Sequence, residues 1–136
     1  MCDNIDLFNK CCVAILGKLY REFPVPTQIT SDEAVLLVGI DNNDKQGRYV
    51  FIETVTFLNQ EEYLIFESAI GSRSKDDRIF RNIRLTSKGL TALNRTPKEL
   101  EHAPSIGERI SGWTGELIKD ASREAVKGAV QAFLGG

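Results

Sequence analysis

Ile5, Phe8, Cys12, Ile15, Leu16, Leu19 and Phe23 recur at steps of three and four, the period that lines apolar side chains along one face of a helix. Asp3 or Asn4 can cap its start, and Pro24 and Pro26 close it, because proline lacks the amide that a helix interior needs. The β-branched TQIT that follows predicts a brief extended segment. Ser31-Asp32-Glu33 then offers an N-cap with acids in the first turn of a short helix through VLLVG, although so short an apolar run also suits a buried strand. Beyond the polar DNNDKQG comes RYVFIETVTFLNQEE, in which Phe51, Val55 and Leu58 share a helical face with Ile52 beside it. Read as a strand, neither face of that segment is polar, so helix is the better fit. YLIFESAI and RIFRNIRL predict two strands joined by the polar loop GSRSKDD. Thr86 or Ser87 caps a last short helix with Leu90 and Leu93 inward, ended by Pro97.

From Ser105 the chain again looks helical, with a stripe through Ile106, Ile110, Trp113, Leu117 and Ala121 and a capping box formed by Ser105 and Glu108. Gly107, Gly112, Gly115 and Gly128 each weaken an isolated helix by ~1 kcal/mol, so this tail needs something to pack on. Ala121, Ala125, Gly128, Ala129 and Ala132 form a small-residue side on which a second helix can approach. Pairing of two tails across a two-fold axis, giving a homodimer held by Ile106, Ile110, Trp113, Leu117, Ala121 and Ala125, is the preferred expectation. Docking on the first helix of the same chain is the alternative, and a lipid surface suits it less well, since its polar side mixes acids with bases. The expected organisation is a domain over residues 1–96, a linker over 97–104 and a helical tail over 105–136.

The run Leu85-Thr86-Ser87-Lys88-Gly89-Leu90 with Leu93 following resembles a phrase found after the second wing strand in bacterial members of the winged helix-turn-helix superfamily. FLNQEEYLIF is similar to the place where their third helix turns into the first wing strand, with Glu62 standing where glycine is common. The order of helix, short strand, helix, helix and two-strand wing also matches over residues 4–94. The resemblance implies a mainly α fold with a small β-wing, here a winged helix-like domain plus a C-terminal amphipathic helix. It also implies a third helix placed to enter a DNA major groove. The competing architecture is an α+β domain in which VLLVGI, RYVFIETVTFL, YLIFESAI and RIFRNIRL form one antiparallel sheet.

Charge alters this picture. The net charge of −2 over 136 residues conceals segregation: residues 1–62 hold 5 Lys/Arg against 10 Asp/Glu, and residues 63–88 hold 6 against 3. A helical wheel places Glu53, Thr56, Phe57 and Gln60 opposite the apolar face of the third helix, a set with an acid and an aromatic but no cation. Arg48 and Lys45, at the helix start, are the candidates for phosphate contacts. The sequence therefore favours protein contacts, with Phe57 as an aromatic anchor. DNA binding through Arg48 and the wing cations Arg73, Lys75, Arg78, Arg81 and Arg84 is the alternative, and a solvated basic hairpin is the plainer account of those cations.

Little in the sequence supports catalysis. Gly17-Lys18 lacks the first glycine of a phosphate loop, there is no glycine-x-serine-x-glycine elbow, and His102 is a lone histidine near proline. Cys2, Cys11 and Cys12 show no Cys-x-x-Cys spacing, so neither a metal site nor a disulfide framework is expected. The expectation is a non-enzyme without cofactor or metal. MCDNIDLFNK carries no basic cluster and Ala34–Ile40 is far below the ~20 apolar residues of a membrane span, which points to the cytoplasm and away from membranes.

Overall fold

A computed structural model describes residues 4–71, 76–95, 105–113, 117–118 and 121–135. The loop cations Arg73 and Lys75, the linker with Pro97 and His102, and Cys2 lie outside the described residues. The structure is mostly helical with a small antiparallel sheet. Helix α1 spans Asn4–Glu22 and strand β1 spans Thr27–Thr30. A 3-10 turn at Ser31–Glu33 leads into α2, Ala34–Val38, which stops at Gly39 with φ 83°, a backbone conformation for which glycine carries no steric penalty. VLLVG is thus helical and RYVFIETVTFL lies within α3, Lys45–Gln60, which removes the four-stranded α+β alternative. Asp44 caps α3 by accepting from the Gly47 amide at 2.9 Å. The helix therefore begins before Arg48, inside the stretch read as linker.

YLIFESAI is two strands, not one: β2 at Leu64–Ile65 and β3 at Ser68–Gly71. Both pair antiparallel with β4, Arg78–Leu85, and β1 also pairs antiparallel with β4. Inward positions Ile29, Leu64, Phe80, Ile83 and Leu85 are buried; Ile83 and Leu85 follow the alternation of a one-sided sheet, and the three-residue step from Phe80 to Ile83 crosses Asn82 at φ 53°, where the alternation resets. Between α3 and β2, Glu62 takes φ 67°, so the turn adopts the left-handed geometry that suits glycine although the residue is glutamate. After β4, Thr86 accepts from the Gly89 amide at 3.1 Å and caps α4, Ser87–Asn94. A Cβ on Gly89 would stand 2.0 Å from the Tyr63 carbonyl oxygen. Close packing explains that glycine.

Helix α1 runs through the middle of the molecule. The stripe read from the sequence is buried at Cys12, Ile15, Leu16 and Leu19, but Cys11, Val13 and Ala14 on the other faces are at most 3% exposed. One side meets α3, and the tail covers another. The tail does not form one continuous helix: α5 spans Ile106–Ser111 and α6 spans Arg123–Gly135, with Gly112 and Trp113 breaking the pattern. Ser105 caps α5 as expected, accepting from the Glu108 amide at 3.2 Å. Ile106 and Ile110 lie buried within the chain's own core. Their helix approaches α1 through two glycines, Gly107 against the Tyr20 ring and Gly17 with a built Cβ 3.0 Å from the Ile110 carbonyl. Trp113 and Ala121 pack on the same core, whereas Leu117 and Ala125 are exposed. Val126, Val130 and Phe133, spaced four and three apart, form the buried face of α6. Arg123 pairs with Asp6 at 2.9 Å, and Arg21 donates to the Ser111 carbonyl at 2.8 Å. Among the described residues, no helix is long and apolar enough to cross a membrane.

Candidate functional site on the third helix and the wing

Arg48 is 6% exposed, where the sequence suggested a cation free to meet a phosphate. Its guanidinium donates to the Asn42 side chain at 2.8 Å, to Asp32 at 2.9 Å, to the Asp76 carbonyl at 3.1 Å and to Ser31 Oγ at 3.4 Å. The Asp76 carboxylate also lies 3.4 Å away. A buried guanidinium must satisfy its donors inside the protein, so this side chain is withdrawn from the surface. Ser31, expected as a helix cap, makes no capping hydrogen bond. Its hydroxyl accepts from the Arg78 amide at 3.0 Å and donates to Asp77 at 3.2 Å. Arg48 and Ser31 together tie the start of α3 and the turn after β1 to the base of β4.

With Arg48 gone, Lys45 in the first turn is the only cation that α3 shows to solvent. Glu53 and Gln60 are exposed, and Thr56 is half-buried with its hydroxyl donating back to the Ile52 carbonyl at 3.2 Å. Phe57 departs from expectation: it is half-buried and meets Phe8 of α1 edge-on, with ring centroids 5.4 Å apart. It is a packing residue between helices. The aromatic group that the sequence reading passed over is Tyr49, one turn before Glu53. The hydrogen bond to Glu53 and that carboxylate's charge raise the Tyr49 pKa, opposed by the nearby Arg78. Arg78, at the start of β4, therefore lies within electrostatic reach of Tyr49 on α3. The i,i+4 spacing of Tyr49 and Glu53 was the sequence signal for this pair.

On β4, Arg81 and Arg84 are exposed and have no ion-pair partner among the described residues. The apolar side chains Ile65 and Ile70 beside them on β2 and β3 are 51% and 45% exposed, and Leu36 on α2 is 77% exposed. Thiol chemistry finds no purchase here, since burial pushes Cys11 up to about 12 and Cys12 well above the ordinary range. Among the described residues no group of three His, Cys, Asp or Glu side chains is placed to hold a metal ion. Compared with protein-family models, curated proteins and solved structures, the chain matches none of them.

Proposed function

We propose that the chain is a non-enzymatic, winged-helix-like binding module that acts through protein contacts. The order α1, β1, α2, α3 and a wing of β2/β3 with β4 supports the winged-helix reading. The observation that carries the choice of partner is the burial of Arg48: it leaves the outer face of α3 with Tyr49, Glu53, Thr56 and Gln60, and with Lys45 in the first turn as its one cation. An acid facing a phosphate-lined groove is unfavourable, while a tyrosine hydrogen-bonded to a glutamate on the same helix face suits a protein surface.

The discriminating measurement is fluorescence anisotropy with a labelled mixed-sequence duplex at about 50 mM and then about 200 mM salt. The expected outcome is no saturable binding at either. A second reading, DNA binding through the wing, has its own support in the exposed Arg81 and Arg84. Micromolar binding that drops steeply with salt, and that Arg81→Gln with Arg84→Gln weakens, would replace the first reading with the second.

A further inference from the structure

Strand β3 has a single strand neighbour among the described residues, β4. Just before it, the Glu67 amide donates to the Arg81 carbonyl at 2.9 Å. Alternation along an antiparallel strand then turns the amides and carbonyls of Ala69 and Gly71 toward β4 and those of Ser68 and Ile70 outward. Proteins usually blunt such an edge with a lysine, a proline or an inward charge. Ser68-Ala69-Ile70-Gly71 has none of these, and Ala69, Ile70 and Gly71 are exposed.

The edge is uncharged, but the strand behind it is cationic. Gly71 pairs with Arg78, and a Cβ built on Gly71 would lie 2.5 Å from the Arg78 guanidinium. Arg78 thus lies across β3 at the rung where β3 has no side chain. Arg81 stands opposite Ser68, the other small residue of the strand. Among the described residues neither arginine has an ion-pair partner.

We propose that the open edge of β3 receives an extended acidic segment of a partner protein, which joins the sheet as an added strand. The outward backbone groups of Ser68 and Ile70 supply the main-chain hydrogen bonds of such an addition. Ile70 and Ala69 supply apolar contact, and Arg78 and Arg81 select carboxylates over cations on the incoming chain. A second copy of this chain fits poorly. Its own Ser68–Gly71 edge carries no carboxylate to answer Arg78 and Arg81. The inference rests on the protein-contact reading and deepens it by naming the partner's chemistry and a contact surface on the wing.

The test is a titration of the 15N-labelled full chain with a short peptide of alternating Asp and Val, and with its counterpart carrying Lys for Asp, followed by amide chemical shifts. The expected result is shifts concentrated at Ser68–Gly71 and a preference for the acidic peptide of roughly tenfold or more. The double variant Arg78→Gln with Arg81→Gln should lose that preference, and Ile70→Pro, which removes an outward amide, should lose binding to either peptide. If Ile70→Pro fails to fold, the arginine variant decides alone. Equal affinity for the two peptides, or no shifts on β3, overturns the proposal. Shifts confined to Tyr49–Gln60 overturn the edge assignment while leaving the protein-contact reading in place, whereas salt-sensitive duplex binding with β3 silent overturns both. A single-stranded oligonucleotide that shifts the same amides with the same arginine dependence would reassign the cations to phosphate.

Discussion

Two glycines in helices have opposite reasons for being there. At Gly89 a methyl group would collide with the Tyr63 carbonyl, a backbone atom that cannot swing aside, so Gly89→Ala should destabilise by roughly 2–3 kcal/mol despite alanine's better helix propensity. At Gly128 nothing lies within 4 Å of a built Cβ, and Gly128→Ala should stabilise by roughly 0.5–1 kcal/mol. Urea melts of the two variants would show midpoints moving in opposite directions. The cysteines give a pH prediction. Their folded-state pKa values are raised by burial, Cys11 from 9.0 to about 12, so the folded chain favours neutral thiols. That contribution is fully present below pH 9.0, the unfolded value, and is lost progressively as pH rises toward about 12. Equilibrium unfolding across that window should show stability falling, with a shallower fall in Cys11→Ala. Constant stability from neutral pH to pH 11 would contradict the assigned burial.

At the scale of elements, what was legible in the sequence was what is local. The Thr86 cap and the Ser105–Glu108 box each join residues three apart, and each is present. The stripes of α1 and α3 were readable for the same reason, since helical periodicity is a short-range signal. The fate of Arg48 was not legible. Its partners Asp32, Asn42 and Asp76 come from three segments, and nothing adjacent to Arg48 distinguishes a buried guanidinium from a free one. Phe57 was misjudged in the same way, because only the position of Phe8 decides which side of α3 counts as outside. The Arg48 cluster also predicts a coupling between α3 and the start of β4. Arg48→Met would take from the largely covered Asp76 carboxylate the guanidinium that lies 3.4 Å away, but Asp32 is 75% exposed and can be hydrated. The expected loss is therefore roughly 2–3 kcal/mol, below the ~3–5 of a fully buried pair. Hydrogen exchange should quicken in β4 as well as in α3, and a change limited to α3 would show that the start of β4 does not depend on this side chain.

For the whole molecule, the tail belongs to the core. Ile106, Ile110, Val126, Val130 and Phe133 are each at most 5% exposed, and at ~2 kcal/mol per buried apolar side chain they contribute roughly 10 kcal/mol before the entropy of ordering is subtracted. That gross figure is comparable with the ~5–15 kcal/mol of net stability in an ordinary domain. Deleting residues 105–136 should therefore unfold or aggregate the chain, as read by loss of a cooperative thermal transition. A folded, monodisperse remnant of residues 1–104 would show that α1 can do without its tail-side cover. The sequence held one clue to this arrangement, the apolar Val13 and Ala14 off the main stripe of α1, whose second buried side needs a second partner.

The central position of α1 fixes an order of events. Glu22 and Ile106 are separated by 83 residues, so on a growing chain the helix made early stands half-covered until the late helices arrive. Contacts at such sequence separation form slowly, and during that interval the side of α1 around Val13 and Gly17, which α5 covers in the finished protein, is open to water and to other nascent chains. The face that closes last is thus the one through which a half-made chain can go astray.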